Sequence, residues 1–319
     1  CNKKPNCEDK FIMKIIVAGG AGFIGSHLVE SLLNDGHELI IFDNFLTGKK
    51  ENLSFEGNFR LVEDDFGSKD SLALIKNFDP EVCFHLAAQS SVVVSVQDPA
   101  LDFEHNILQP IQLIDTLVNS NCKKLVFTSS GGTIFGEPKN IPTTETDYSN
   151  EPASPYGVAK KKLNEIIKTM TSNTTLSYSI LNLSNVYGPR QDPYGEAGVV
   201  SIFSNKYLNG ERPVIYGNGE QTRDYIYVQD VISALIESSK IHDDLFLNIG
   251  TGVETSVNQL AESLKIQFSS NLDPIYKDAR KGELQRSVLD NTKAKKLLNW
   301  EPQYDLNTGM IEVRNWIKS

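Results

Sequence analysis

Short apolar runs without a polar face alternate with helical segments between about residues 14 and 183. A run in which apolar and polar residues do not alternate is typical of a strand that is buried on both faces. The five clearest runs are residues 15–17, 39–42, 82–84, 124–127 and 179–181. Between the first two runs, Ile24, Leu28 and Leu32 recur at helical spacing. This alternation predicts an α/β fold with a doubly wound parallel sheet.

The pattern changes after Asn185, where loops rich in glycine and proline break up short elements. We therefore expect a first domain over residues 13–184 and a smaller C-terminal domain over residues 185–319, some of whose segments return to the first domain. The smaller domain should lie at the carboxyl edge of the sheet, where open α/β folds bind ligands. The start of the chain is polar, so we predict a disordered lead over residues 1–12, with Met13 as the native start.

The composition excludes several classes of partner. The chain has 319 residues, and 31 Lys and Arg against 41 Asp and Glu give a net charge of −10, which repels nucleic acids and anionic membranes. No apolar run approaches the roughly 20 residues that a membrane span needs. The four cysteines form no CxxC pair, and the five histidines have no metal-binding spacing. We expect a cytoplasmic protein with no metal site, no nucleic-acid partner and no membrane partner.

The first apolar run leads directly into the sequence GGAGFIG at residues 19–25, which opens a helix. Gly19 allows a tight turn, Gly22 lets the backbone approach a pyrophosphate, and Gly25 lets the helix pack closely on the strand. A glycine triplet alone can be an ordinary turn. Here a strand precedes it, a helix follows it, and Asp43 ends the second strand. We therefore predict a Rossmann-type, dinucleotide-binding domain.

Asp43 also distinguishes between two dinucleotides. A carboxylate accepts hydrogen bonds from a free 2′-hydroxyl of the adenosine ribose, but it repels a 2′-phosphate. No arginine is near Asp43 in the sequence, and Lys49 and Lys50 follow only in a later loop. NAD is therefore favoured over NADP. Asp65 follows the third strand, where it could accept a hydrogen bond from the adenine amino group or simply form a turn or helix cap.

Tyr156 and Lys160 stand four residues apart at the start of a predicted helix. Residues at this spacing share a helix face, so the ammonium can stabilise a phenolate and make the tyrosine a usable general base. Such pairs also arise by chance in a chain of this composition. Ser130 strengthens the interpretation, because it places a hydroxyl at the carboxyl end of the strand just upstream. A serine that caps a turn is the alternative.

The helix predicted between about Pro99 and Val118 is apolar on more than one face. A surface helix needs only one apolar stripe. Either the helix is covered on both sides within one chain, or its second face meets another subunit. The sequence alone leaves both alternatives open.

Several motifs taken together resemble the extended short-chain dehydrogenase/reductases, and within these the UDP-glucose 4-epimerase family of sugar-nucleotide epimerases. They are GGAGFIG at residues 19–25, HLAAQ at 85–89, SSGG at 129–132, Tyr156 with Lys160, and NVYGPR at 185–190. The similarity extends through RDYI at residues 223–226 and RKGE at 280–283.

The resemblance implies a role for each matching position. It implies NAD contacts at Gly19, Gly22, Phe23, Ile24, Gly25, Asp43, Asn44, Asp65, Phe66, Leu86, Ala87, Ala88, Tyr156 and Lys160. It implies UDP-sugar contacts at Ser130, Tyr156, Asn185, Val200, Arg223, Arg280 and Ser287, with Ser130, Tyr156 and Lys160 as the catalytic residues. Two guanidiniums suit a diphosphate, although surface ion pairs would explain such arginines equally well. It also implies a homodimer.

The implied reaction is C4 epimerisation of a UDP-hexose through a 4-keto sugar. Tyr156 takes the O4 proton with Ser130 as relay, C4 gives hydride to NAD, and the keto sugar receives hydride on its other face. Related 4,6-dehydratases place an Asp-Glu pair after the catalytic hydroxyl, where this chain has Gly131 and Gly132. A dehydratase, a decarboxylase, a ketoreductase and a nonenzymatic NAD-sensing module remain as alternatives.

Sugar size is predicted from one position. In this family, the residue seven positions beyond the second arginine lines the pocket near the C2 substituent, and a bulky side chain there is associated with exclusion of N-acetylated sugars. Here that residue is Ser287, so we expect activity on UDP-N-acetylglucosamine and UDP-N-acetylgalactosamine as well as UDP-glucose and UDP-galactose. If Ser287 merely ended a strand at the surface, it would have no bearing on specificity.

Overall fold

The computed structural model describes residues 12–148, 150–194, 198–280 and 284–319. Apart from Ile12, the predicted lead therefore lies outside the described residues. In the described part of the chain, no helix combines the length and the apolar character needed to cross a lipid bilayer.

Strands and helices alternate through the first half of the chain. The strands are β1 (Lys14–Ala18), β2 (Glu38–Phe42), β3 (Phe59–Val62), β4 (Val82–His85), β5 (Lys124–Ser130), β6 (Ser177–Leu183), β7 (Asn185–Tyr187), β8 (Val214–Tyr216), β9 (Thr222–Arg223), β10 (Tyr225–Tyr227), β11 (Leu245–Ile249), β12 (Thr255–Ser256) and β13 (Ile275–Lys277). The helices are α1 (Phe23–Asn34), α2 (Lys69–Phe78), α3 (Val92–Gln97), α4 (Pro99–Phe103), α5 (Gln109–Val118), α6 (Pro155–Thr171), α7 (Val199–Leu208), α8 (Val228–Ser239), α9 (Val257–Gln267), α10 (Thr292–Leu298) and α11 (Leu306–Lys318). A short 3₁₀ helix spans Lys50–Leu53, and a π-helical turn spans Glu104–Leu108.

Seven strands form one parallel sheet in the order β11-β6-β5-β4-β1-β2-β3. The prediction of a doubly wound, Rossmann-type parallel sheet is confirmed. The strand order reverses between β1 and β4, so the connections leave a crevice at the carboxyl ends of these strands, where such folds bind ligands. Strand β11, from the C-terminal half of the chain, extends this sheet at one edge.

The apolar runs have no polar face because the sheet is covered on both sides. Successive residues of a strand point to opposite faces. Ile15 and Val17 accordingly belong to one core cluster, and Ile16 and Ala18 to the other. All four side chains are fully buried.

The C-terminal half of the chain adds three two-stranded pairs beside the main sheet. Strand β7 pairs with β10 and β8 with β13, both parallel, whereas β9 pairs with β12 antiparallel. These strands have only two or three residues each. The strands of these three pairs are therefore short, and each is held by pairing with a distant segment of the chain.

The helix predicted between Pro99 and Val118 consists of α4, the π-helical turn and α5 in succession. Asp98 caps its start by accepting a hydrogen bond from Leu101 N at 3.0 Å. One face carries buried Asp102 and Asn106, whereas Phe103 and Leu108 are 38% and 52% exposed. The second apolar face is thus left uncovered by the described residues of this chain.

Candidate active site

The turn between β1 and α1 is built from glycines because there is no space for side chains. Gly19 has φ +83°, and a Cβ on it would lie 2.6 Å from Ala87 N. A Cβ on Gly25 would collide with Gly19 O, which is backbone and cannot give way locally. Leu86 N and Ala87 N both donate to Ala18 O at 2.9 Å, which fixes the neighbouring turn after β4 against this one. The result is a rigid backbone cradle at the switch point of the sheet.

Asp43 at the end of β2 is tied to this cradle. Its Oδ2 accepts from Ala21 N at 2.8 Å, and its Oδ1 accepts from Phe45 N at 2.9 Å. Burial raises the pKa of the carboxyl group, and the backbone hydrogen bonds oppose that rise. Nearby Lys49 pairs with Asp192 at 2.9 Å, and Lys50 pairs with Glu63 at 2.6 Å. Both lysines therefore have carboxylate partners.

A cavity of about 570 Å³ opens beside the cradle. Twelve of the predicted cofactor contacts line it, namely Gly19, Gly22, Phe23, Ile24, Gly25, Asp43, Asn44, Asp65, Phe66, Leu86, Ala87 and Ala88. Asp65 Oδ1 accepts from Asn44 Nδ2 at 2.6 Å, so these two residues hold each other at the cavity wall. The structure thus brings together residues that follow the ends of β1, β2, β3 and β4.

Tyr156 and Lys160 lie on the first two turns of α6. Ser154 caps this helix by accepting from Gly157 N at 3.2 Å. The Lys160 side chain is buried, and its Nζ donates to Thr128 O at 3.1 Å. That Nζ lies 4.6 Å from the centre of the Phe127 ring and 6.0 Å from the centre of the Tyr156 ring. Thr128 also lines the cavity, so Lys160 is hydrogen-bonded to a residue of the cavity wall.

The environment of Lys160 changes its chemistry. Burial lowers the pKa of its ammonium to about 7, and the negative charge of Asp102 opposes that fall. His85, at the end of β4, is fully buried between Phe66 and Phe127. Burial, and secondarily the Lys160 charge, lower the pKa of His85 to about 3. The His85 imidazole is therefore neutral at physiological pH. Of the two neighbouring side chains, Lys160 is the one that can carry a positive charge.

Ser130 ends β5 beside the start of α6. Its carbonyl oxygen accepts from Thr133 N and Ile134 N, both at 3.1 Å. A Cβ on Gly157 would lie 3.2 Å from Thr133 O, so the first turn of α6 packs directly on the turn that follows Ser130. The strand end with the serine hydroxyl and the helix with Tyr156 are therefore neighbours.

Two predicted substrate contacts, Asn185 and Val200, lie on the C-terminal side. Asn185 begins β7, its N donates to Asp224 O at 2.9 Å, and its Oδ1 would lie 4.0 Å from a Cβ on Gly132. The asparagine therefore lies beside the turn after Ser130. Val200 is buried in α7.

Arg223 and Arg280 are carried by two chain segments that are bonded to each other. Gly217 N donates to Lys277 O, and Thr222 N donates to Gln285 O, both at 2.9 Å. Arg223 ends β9, and the guanidinium of Arg280 lies 4.1 Å from the centre of the Tyr216 ring. Residues 281–283 of the RKGE motif lie outside the described part of the chain.

Ser287 is buried, with 9% of its surface exposed. It lies two residues before Leu289, whose side chain reaches Gly131. Thr143 N donates to the neighbouring Val288 O at 2.9 Å. Ser287 is therefore not at a surface strand end, and it lies on a segment that passes the turn after Ser130.

The sequence analysis missed one group of polar residues on the helical run that packs against α6. Asp102 is fully buried and accepts hydrogen bonds from Gln89 and Asn106. The signal was present, because Asp102 and Asn106 stand four residues apart in a helix that is apolar on more than one face. Without a known packing partner, the pattern could not reveal which face they occupy. Among the described residues, no group of three His, Cys, Asp or Glu side chains could hold a metal ion.

Comparison with known proteins identifies the family. The sequence profile of the GDP-mannose 4,6-dehydratase family matches residues 16–313. The UDP-glucose 4-epimerase of Mycolicibacterium smegmatis is 41% identical over 312 residues, which cover 96% of this chain and 99% of that protein. The similarity therefore extends over both halves of the chain.

Solved structures agree with this result. The UDP-glucose 4-epimerase of Thermotoga maritima, solved with UDP-glucose, has 42% identity and a TM-score of 0.93 over 96% of this chain and 99% of that one. A UDP-N-acetylglucosamine 4-epimerase from Methanobrevibacter ruminantium, in complex with UDP-N-acetylmuramic acid, has 34% identity and a TM-score of 0.90 over 96% and 98%. A Thermus thermophilus UDP-glucose 4-epimerase complex with NAD has 35% identity and a TM-score of 0.88 over 96% and 99%.

The resemblance predicted from the motifs is confirmed at the level of sequence profile, full-length relatives and fold. This chain belongs to the GDP-mannose 4,6-dehydratase family, within the extended short-chain dehydrogenase/reductases.

Proposed function

We propose that the chain interconverts UDP-glucose and UDP-galactose at C4 and also accepts their N-acetylated counterparts. At the broader level it is an NAD-using UDP-sugar 4-epimerase, in agreement with relatives of that activity across its full length. Relatives named UDP-glucuronic acid decarboxylase are also similar, at 28% identity. The choice of reaction and of sugar therefore depends on the residues of this chain.

The residues present fit NAD. The glycine turn leaves an open backbone surface where side chains would collide, and the Asp43 carboxylate lies at the cavity wall. Both features suit a dinucleotide with a pyrophosphate and a free ribose hydroxyl. We assign Gly19 and Gly22 to the pyrophosphate, Asp43 to the adenosine ribose, and Lys160 to the nicotinamide ribose. When bound, NAD supplies a hydride acceptor and donor for the sugar C4.

The residues of the chain would manage the proton at O4. We assign Tyr156 as the base that removes this proton and returns it, and Ser130 as the hydroxyl that relays it. Lys160 places a positive charge one helical turn from Tyr156, which favours the phenolate form. Its burial strengthens that effect, because electrostatic interactions are weakly screened away from water.

The turn after Ser130 supports epimerisation over dehydration. Elimination of water needs an acid and a base beside the sugar. Gly131 has no space for one, since a Cβ there would collide with Leu289 and lie 3.1 Å from Leu183 O. Gly132 is more open but carries no ionisable group. This absence of an acid next to the catalytic hydroxyl is the observation that carries the proposal.

The experiment is to incubate the purified protein with UDP-glucose and with UDP-N-acetylglucosamine, without added cofactor, and to identify the products by NMR. We expect the 4-epimer of each sugar and no 4-keto-6-deoxy product. Heat-released cofactor should assay as NAD. A requirement for added NADPH, or a dehydrated product, would contradict the proposal.

We also propose that the protein is a homodimer. The exposed apolar side chains on α3 to α5 include Val93, Val96, Phe103 and Leu108. A second copy of the same face would bury them, and a patch of this kind on a single chain is otherwise unfavourable in water. Light scattering should give about twice 35.5 kDa at micromolar concentration. A monomer would contradict this proposal.

A cytoplasmic location of the protein stays a prediction from the sequence.

A further inference from the structure

A carboxylate without solvent contact lies on a helix that packs against the helix of the proposed catalytic pair. Asp102, on α4, is 0% exposed. Its Oδ1 accepts from Gln89 Nε2 at 2.8 Å and from Asn106 Nδ2 at 3.0 Å. Its Oδ2 has no hydrogen-bond partner among the described residues. A buried carboxylate with one oxygen unsatisfied is costly unless a positive charge lies nearby.

The neighbouring groups hold this carboxylate in place. Gln89 Nε2 also donates to Ser91 O at 3.0 Å, and Asn106 Nδ2 also donates to Gln89 O at 2.8 Å. Asp102 lies two residues before the π-helical turn, which contains Asn106. π-Helical turns are rare and often occur at functional sites, because they shift the side chains of one helix face. Asp102 and Asn106 stand four residues apart on one face of this helical run, and both bond with Gln89.

Lys160 is the buried cation that matches Asp102. Helix α6 packs against α4, the π-helical turn, α3 and α5, and against strands β5 and β6. Helix α3 has no ionisable side chain. Two ionisable groups on these elements, Asp115 and Glu104, are exposed to solvent and do not face Lys160. Two others, Lys124 and Tyr178, lie at the amino-terminal ends of their strands. Lys160 is hydrogen-bonded to Thr128 O, near the carboxyl end of β5, and is therefore far from both. The ionisable groups close to the pair are Asp102, His85 and His105, with Tyr156 on α6 itself.

We propose that Asp102 is a positioning residue whose buried negative charge keeps Lys160 protonated and thereby keeps the Tyr156–Lys160 pair in its reactive ionisation state. The inference rests on the proposed function of that pair. His85 cannot serve instead, because a neutral imidazole carries no negative charge. Asp102 acts through Lys160 and need not touch substrate or cofactor.

The sign of the expected pH effect follows from charge. Removing a negative charge makes loss of a proton easier for every nearby group. Without Asp102, Lys160 should therefore lose its proton at lower pH, and the basic limb of the kcat profile should move to lower pH. This limb belongs to the coupled Tyr156–Lys160 pair and not to one residue. A merely structural role for Asp102 would lower kcat without moving the limb.

The first test is Asp102→Asn, with Asp115→Asn as the matched control, because Asp115 is an exposed aspartate on the same helical run. We expect the basic limb of Asp102→Asn to fall by about one pH unit. KM for the UDP-sugar should stay within about twofold, and the control should keep the wild-type profile. An unmoved basic limb in a folded Asp102→Asn protein would overturn the inference.

The second test is a double-mutant cycle in thermal stability, measured with saturating NAD on wild type, Asp102→Asn, Lys160→Met and the double variant. Each single variant leaves one buried charge without its partner, so the double variant should lose less stability than the sum of the single losses. Additive losses would overturn the inference. If Asp102→Asn alone does not fold, we expect the double variant to fold. If the double variant did not fold although Lys160→Met did, the inference would also be overturned.

The two proposals fail separately. If Tyr156→Phe retained wild-type turnover, the proposed function of the pair would be wrong. The stability cycle would still decide whether Asp102 and Lys160 are coupled. If Tyr156→Phe is inactive and the cycle is additive, only the inference about Asp102 is wrong.

Discussion

The cofactor cradle and the sugar-nucleotide side are built in different ways. The cradle consists mainly of backbone from consecutive turns after β1, β2, β3 and β4, fixed by main-chain bonds such as Ala87 N to Ala18 O at 2.9 Å. The predicted sugar contacts run from Ser130 to Ser287 in the chain. Two of them, Asn185 and Arg223, lie on strands of only two or three residues, β7 and β9.

This difference has a physical consequence. A backbone cradle has little freedom to adapt, so a substitution there should affect folding and cofactor retention together. A site assembled from separate side chains can lose one of them and keep its fold, so substitutions there should change KM or selectivity. Tyr156 and Lys160 lie where the two regions meet.

The largest expected effect is at this junction. Tyr156→Phe removes the proposed base, so kcat should fall by about 100-fold or more, with little change in KM. Tyr178→Phe is the control, because Tyr178 lies at the amino-terminal end of β6 and does not line the cavity. Steady-state kinetics on UDP-galactose measures both. Near-wild-type turnover in Tyr156→Phe would remove the proposed mechanism.

The next prediction compares two glycines within the cradle. In Gly25→Ala the new Cβ meets Gly19 O, so the backbone must move, and both the melting temperature and NAD retention should fall. In Gly22→Ala the Cβ would lie 3.3 Å from that oxygen and face the cavity. It should reduce NAD retention with a smaller loss of stability. Calorimetry measures the melting temperatures, and an assay of heat-released NAD measures cofactor retention. Equal losses of stability in Gly25→Ala and Gly22→Ala would show that the cradle is less rigid than we infer.

On the sugar side, Arg280→Ala should raise KM for UDP-sugars by about 30-fold, because a charge-assisted hydrogen bond is worth roughly 2 kcal/mol. The melting temperature should hardly change. Arg286→Ala is the control, because Arg286 already pairs with Glu254 at 2.9 Å. An equal effect of the two variants would argue that Arg280 is an ordinary surface arginine.

The smallest effect concerns selectivity. Ser287→Tyr fills space next to Val288 and Leu289, so activity on UDP-N-acetylglucosamine should fall by about tenfold relative to UDP-glucose. The ratio of kcat/KM for the two sugars is the measurement. A matched loss on both sugars, or a wild-type enzyme inert toward the N-acetylated sugar, would contradict the role given to Ser287.

The sequence was most informative about the cradle. A strand, a glycine turn and a helix follow each other within about 20 residues, so local spacing was enough to predict the glycine turn and the role of Asp43. The other predicted contacts that line the cavity, such as Leu86, Ala87 and Ala88, came from the resemblance. The sheet could be predicted for the same reason, since doubly buried strands have a continuous apolar pattern. The prediction for the sugar side depended on resemblance, because no local pattern connects Asn185 with Gly132 or Arg280 with Tyr216.

By itself, then, the sequence determined the alternation of strands and helices over about residues 14–183, the glycine turn, the acidic residue after β2 and the spacing of Tyr156 and Lys160. Each of these depends on neighbours within a few turns of chain. Only the tertiary structure decided that Asp43 binds the glycine turn through Ala21 N. The same holds for the burial of Asp102 on a helix that packs against the helix of Lys160, and for the exposed apolar face of the α4–α5 helix. These depend on which distant segments pack together, and burial and electrostatic environment arise only from that packing.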